Sequence, residues 1–221
     1  MALVLLAAAA TGCSAGEPEK SPQPTAAPRL TAGQICAGLF TGEGAKALER
    51  VLESTAFHVR DDEKAPDVRA VAQVMEDAYR AGKRINDMPQ PVCEASGAEA
   101  KAGYIPTVRI MFTAYSKHAG DPPDFPGVSD SGVMVSQRQK TNHLSYDCTS
   151  SRVGSTDNVP LRIKLAFQER WDGSKGETVL GQDYLAVTHS AALAVAKELG
   201  CTNNGGLPAR ADDLPKPEGG S

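Results

Sequence analysis

Aromatic residues are scarce in this chain, at 5% of 221 residues with a single Trp. That scarcity argues against a base-stacking platform or an aromatic-lined carbohydrate groove. A basic block is also missing. The formal net charge is −4 and the pI about 5.6, so the electrostatic footprint of a nucleic-acid binder is absent and no nucleic-acid partner is expected. His58, His118, His143 and His189 stand apart from one another, without His-Glu-x-x-His spacing or an Asp-rich calcium loop. Neither metal nor any other cofactor is therefore expected. No Cys-x-x-Cys occurs, which speaks against a thioredoxin-like redox centre or a zinc knuckle. No Gly-x-Ser-x-Gly elbow surrounds Ser131, Ser150 or Ser151, and Ser-x-x-Lys is missing from the chain, so the local signatures of two serine-nucleophile classes do not mark these loop serines.

What is present begins at the amino terminus. Residues 2–10 are unbroken apolar and run into Thr11-Gly12-Cys13. A permanent transmembrane helix needs about 20 apolar residues, whereas this length suits the apolar region of a signal peptide ahead of small residues at a cleavage site. Ala10-Thr11-Gly12-Cys13 resembles a bacterial lipobox, matching at the Gly and the Cys and departing at Ala10, where Leu is commoner. The resemblance implies that Cys13 is lipidated on its thiol and becomes the first residue of the mature protein. Two or more acyl chains hold a protein on a membrane stably, whereas one does so only marginally. Residues 1–12 carry no charge, and an upstream start codon or a trimmed leader is the expectation.

Residues 14–28 are rich in Pro and small polar types and cannot bury a core. Fully extended at ~3.1 Å per residue, this spacer reaches about 50 Å. The expected organisation is a signal peptide over 1–12, a lipidated Cys and disordered tether over 13–30, one globular domain over 31–205 and a disordered tail over 206–221.

Setting Cys13 aside leaves Cys36, Cys93, Cys148 and Cys201, an even number that suggests two disulfides in an exported domain. Three connectivities are open. Cys36–Cys93 with Cys148–Cys201 is favoured, because each pair brackets one half of the domain, and each loop of more than fifty residues is worth at most about 4 kcal/mol.

Along the domain, Thr31-Ala-Gly-Gln34 has capping-box spacing ahead of a short helix carrying Ile35 and Leu39. Glu43 to Glu53 is helical in period, and Thr41-Gly42-Glu43-Gly44 reads as a joint, since no Walker lysine accompanies its glycines. A helix is predicted from Pro66 to Ile85, with Val68, Val71, Ala72, Met75, Ala78, Tyr79 and Ile85 on its core face. Arg69, Gln73, Glu76, Asp77 and Arg80 face away. Glu94 to Gly103 reads as a small-residue connection, and 121–127 as a stiff Pro-rich loop.

Period-two alternation predicts strands at 108–114, 133–135, 144–146 and 161–167. Trp171-Asp-Gly173 offers a hairpin turn returning through Thr178 to Leu180. A last helix spans Asp183 to Leu199, stopped by Gly200. Strands in the middle and helices at the ends predict an α+β domain. It has an antiparallel sheet of about four to five strands, N-terminal helices, a C-terminal helix packed on it and two disulfides.

The stretch Ile35-Cys-Ala-Gly-Leu-Phe40, with the lipobox, spacer and four later cysteines, resembles the uncharacterised cell-envelope lipoproteins of high-GC Gram-positive (actinobacterial) bacteria. The resemblance implies a cell-membrane, lipid-anchored, extracytoplasmic location and carries over no catalytic residue. Two functional classes remain. One is a non-enzymatic module that binds an envelope protein, a wall polymer or a small ligand. The other is a cell-wall or extracellular hydrolase that gathers His118 and Asp121 or Asp124 with Ser131, Ser150 or Ser151, although the prolines around both aspartates favour a rigid turn.

Overall fold

In the computed structural model the described residues are 29–58, 67–83, 93–98, 107–116, 132–138, 141–169 and 177–217. They form an α+β domain built on one antiparallel sheet. The strands are β1 (Phe57–His58), β2 (Cys93–Gly97), β3 (Thr107–Ser116), β4 (Met134–Arg138), β5 (Thr141–Cys148) and β6 (Leu161–Glu169). Their order is β1-β2-β3-β6-β5-β4, every neighbour antiparallel.

Alternation in the sequence sets the register. In a strand successive side chains point to opposite faces, and β5 and β6 alternate between buried and half-buried along their lengths. One rung of the inner face reads Phe112, Leu165, Leu144 and Val135 across β3, β6, β5 and β4. The next reads Ala114, Ile163 and Tyr146. All are buried.

Three helices cover that inner face: α1 (Gly42–Leu52), α2 (Val68–Arg80) and α3 (Glu177–Leu199). α3 lies on β5 and β6, α2 on β3, and α1 rests against α3. Nine consecutive residues of α3, Tyr184 to Ala192, are buried, as expected of a helix enclosed on every side rather than one with a solvent face. Tyr184 stacks on Phe167 with ring centroids 4.8 Å apart. Tyr146 donates its hydroxyl to Ala192 O at 3.3 Å, and burial pushes that phenol far above its usual pKa range. Asn142, fully buried, accepts from Leu185 N at 3.0 Å and donates to Thr141 O at 3.2 Å, in the amide orientation that satisfies both groups.

Disulfides join Cys36 to Cys93 and Cys148 to Cys201. The first ties the segment ahead of α1 to β2, and the second ties the end of β5 to the residue after Gly200.

Several expectations are corrected. Among the described residues the sheet has six strands. β2 occupies part of the supposed connection after Glu94, hidden because Ala, Ser and Gly carry little strand signal. The two-residue β1 is too short to leave a period. Residues 178–180 return as helix rather than strand, since α3 starts at Glu177; Trp171 to Gly173 lie outside the described residues. The short helix at Ile35 is a 3-10 turn broken by left-handed residues. Thr31 and Gln34 close it differently from a full capping box: Thr31 N donates to Gln34 Oε1 at 3.0 Å, and Gln34 N donates to the Thr31 carbonyl.

Glu76, expected to face solvent, is 5% exposed. It is held by Arg80 at 2.6 Å and Arg152 at 3.0 Å, and charge pairing of this kind is what allows a carboxylate inside. Residues 206–217, expected within a disordered tail, fold back as a strap. Leu207 and Leu214 are buried, and Gly205, at φ +70°, sits so close to Tyr146 that a Cβ there would lie 2.6 Å from its ring. Residues 1–28, Pro66, Ile85 and the 121–127 loop lie outside the described residues.

The α1–α3 crossing depends on a missing side chain. A Cβ at Gly44 would lie 2.2 Å from Ser190 Cβ, whereas one at Gly33 meets only Phe40 O at 3.9 Å. Overpacking of this kind costs about 1–3 kcal/mol. Gly44→Ala should therefore lower unfolding free energy by about that amount in chemical denaturation, while Gly33→Ala stays within ~0.5 kcal/mol of wild type.

Candidate functional site

The side of the sheet away from the helices carries half-buried, largely polar side chains. Pairing aligns its side chains in rungs. Arg109, Gln168 and Thr141 share one; Met111, Ala166, His143 and Ser136 the next; Thr113, Lys164, Ser145 and Met134 a third; Arg162 and Asp147 a fourth. All are half-buried. Two ion pairs stiffen the surface. Arg109 Nε lies 2.6 Å from Glu94 Oε2 across β2 and β3, and Arg162 Nε lies 3.1 Å from Asp147 Oδ1 across β6 and β5.

At the β1 corner, Ser96 Oγ and Thr107 Oγ1 are 3.0 Å apart, and His58 is paired in register with Ser96. His58 Nδ1 is buried and meets no hydrogen-bond partner among the described residues.

This face offers hydroxyls, an amide, an imidazole, paired guanidinium groups and two methionines in the regular spacing of paired strands. Such a mixture suits hydrogen bonding combined with adaptable apolar contact. Catalysis would need a nucleophile, a base and an orienting acid in mutual reach. His143 sits opposite Ser136 in the register. The carboxylates of the face, Glu94 and Asp147, lie in other rungs and hold arginines. No acid–base–nucleophile set forms there among the described residues.

Of the hydrolase residues singled out by sequence, Ser150 and Ser151 are described. Ser150 is buried, donates to Leu199 O at 2.6 Å and serves as a structural tie below the second disulfide. Ser151 is exposed on the same turn. His118, Asp121, Asp124 and Ser131 lie outside the described residues. Cys13 lies outside them too. Cys36, Cys93, Cys148 and Cys201 are spent in disulfides. No group of three His, Cys, Asp or Glu able to hold a metal occurs among the described residues, and no helix there is long and apolar enough to cross a membrane.

Sequence reasoning did not single out the outer face, because its residues alternate with core residues and never form a run. The period-two pattern at 161–168 carried the signal, but only the strand order shows which polar residues become neighbours.

Two further polar clusters are structural. Arg152 bridges Glu76 and Glu198 and donates to Glu198 O at 2.5 Å, joining α2 to α3. Arg50 joins Glu43 and Asp183, each at 2.7 Å, tying α1 to α3.

No known protein family, curated protein or solved structure matches the chain.

His189 is 4% exposed and its Nε2 lies 2.8 Å from Pro208 O. Burial holds the imidazole below its ordinary value of 6.5, against the opposing effect of that hydrogen bond. A depressed imidazole means the unfolded chain takes up its proton first. The stability contributed is complete above about pH 6.5 and is lost as pH falls toward the folded value. Comparing denaturation of wild type with His189→Gln, whose amide can still donate to Pro208, should show wild-type stability falling more steeply between pH 7 and pH 5. Parallel curves would contradict the assignment.

Proposed function

We propose that this chain is an extracytoplasmic lipoprotein, tethered to a membrane through lipidated Cys13, whose domain is a non-enzymatic binding module presenting the outer face of its sheet. The supporting observation is how the cysteines are used. Four of the five are consumed in two disulfides, which persist in oxidising compartments and are rare in reducing ones. The fifth is the one preceded by an apolar run and Ala-Thr-Gly.

On this reading the spacer holds the domain off the bilayer, and the half-buried rungs around His143 and Lys164 meet an envelope protein, a wall polymer or a small ligand. The polar lattice provides the contact, with Met111 and Met134 adding adaptable apolar surface among its hydrogen-bonding groups.

The test is mass spectrometry of native protein from fractionated cells. The expected result is a membrane-fraction peptide beginning at diacylated Cys13, with residues 36, 93, 148 and 201 oxidised, and release of a Cys13→Ala variant from the membrane. A cytosolic protein retaining residues 1–12, with reduced thiols, would overturn the proposal.

A further inference from the structure

The two disulfides differ in the backbone that carries them. Cys36 (φ 54°, ψ 38°) and Ala37 (φ 50°, ψ 42°) both lie in the left-handed region, followed by Gly38 at φ 83°. Residues with a Cβ are disfavoured there, because the Cβ crowds the following carbonyl oxygen. Such outliers persist only where surrounding structure imposes them.

A second left-handed run follows the other disulfide, at residues 203–206, but its sequence is Asn-Asn-Gly-Gly. Those are the residue types that accept this conformation most easily. Cys201 itself is extended, at φ −63° and ψ 130°. Strain is therefore concentrated at one bridge. Buried Ile35 on one side and buried Leu39 and Phe40 on the other pull the turn closed. Cys36 is pinned to Cys93 at the start of β2, while Ala37 is exposed.

We infer that Cys36–Cys93 is a redox-sensitive latch: it holds a strained left-handed turn, opens before Cys148–Cys201 in thiol exchange, and on opening releases the segment 29–41 from the sheet. The inference does not depend on where the protein resides. In the exchange, a dithiol reductant transfers two electrons. One of its thiolates attacks a sulfur of the bridge, the Cys36–Cys93 bond breaks through a mixed disulfide, and the reductant leaves as its cyclic disulfide with two protein thiols formed.

Release has a defined structural consequence. Leu30 is bonded to both backbone groups of Phe57, at 3.0 and 2.8 Å, and closes the β1 edge of the sheet. A relaxed turn at 36–38 therefore loosens this edge and the outer-face corner carrying His58 and Ser96. The second bridge stays under α3, where Cys201 N donates to Ala196 O at 2.9 Å and Thr202 N to Thr149 O at 2.8 Å.

Burial alone predicts another order. Cys36 and Cys93 are 3% and 0% exposed, Cys148 and Cys201 0% and 8%, so accessibility would open the second bridge first. This contrast makes the test decisive. The intact purified chain is equilibrated in mixtures of reduced and oxidised dithiothreitol, trapped by alkylation and mapped by mass spectrometry, with hydrogen exchange run in parallel.

The latch predicts that residues 36 and 93 are alkylated first. Exchange should then accelerate at 29–41 and 93–98 while 141–148 and 201–207 stay protected. Ala37→Gly, which removes one crowded Cβ, should raise the reduced-to-oxidised ratio needed for half-opening by roughly fivefold. Opening of Cys148–Cys201 first, simultaneous opening of both, or an Ala37→Gly variant with an unchanged ratio would each overturn the inference.

Discussion

Three consecutive polar residues in the middle of an enclosed helix impose the constraint on which the rest of the structure depends. Thr188, His189 and Ser190 sit where α3 is buried on all sides, and each is satisfied by a different part of the chain. Thr188 Oγ1 donates to Tyr184 O within the helix at 2.7 Å. His189 pairs with Pro208 O on the C-terminal strap. Ser190 Oγ donates to Leu39 O at 3.2 Å and accepts from Thr41 N at 3.0 Å, on the segment entering α1. Leaving one such group buried and unpaired costs about 1–3 kcal/mol, against a total stability of about 5–15 kcal/mol for a typical domain. Each chain end that comes to the helix removes such a cost, so burial of α3 is most favourable with both in place.

The disulfides reinforce that geometry. Cys36 lies just ahead of Leu39, and Cys201 lies just ahead of Pro208, so each bridge secures the approach of one segment that completes α3. By closing loops of 57 and 53 residues, they restrict the unfolded chain most where the folded chain needs distant ends to meet. Packing then follows from small residues. Gly44 lets α1 approach Ser190, and the buried Ala191, Ala192 and Ala196 keep α3 slim between sheet and neighbouring helices. With the inner face filled in this way, the described polar rungs of the sheet fall on the opposite side, where the proposed binding surface lies.

How far the sequence disclosed this arrangement varies by element and for identifiable reasons. β3 and β6 announced themselves, because Val108 to Ala114 and Leu161 to Phe167 alternate over enough residues to leave no competing period. α2 was legible for the same reason, although Glu76 was misplaced: its partner Arg152 is 76 residues away, and no local pattern signals that pairing. β2 was lost because Cys93-Glu-Ala-Ser-Gly97 contains no bulky or β-branched side chain. The start of α3 was read as a strand because Thr178-Val-Leu180 has strand propensity, a signal too context-dependent to decide so short a stretch. The strap past Gly205 looked disordered by composition, yet Leu207 and Leu214 bury their side chains and Pro208 O pairs with His189. The outer face could be listed by alternation but not assembled, since neighbours across strands depend on the order β3-β6-β5-β4, which sequence does not state.

The account's central claim is that α3 and the sheet form one cooperative unit closed by the two chain ends. Native-state hydrogen exchange on the oxidised chain tests it most directly. The account predicts that amides of Leu185 to Leu199 exchange with the same opening free energy as the central residues of β3, β5 and β6, at the limit set by global unfolding. Exchange of α3 through a cheaper opening, while those strands remain protected, would contradict it.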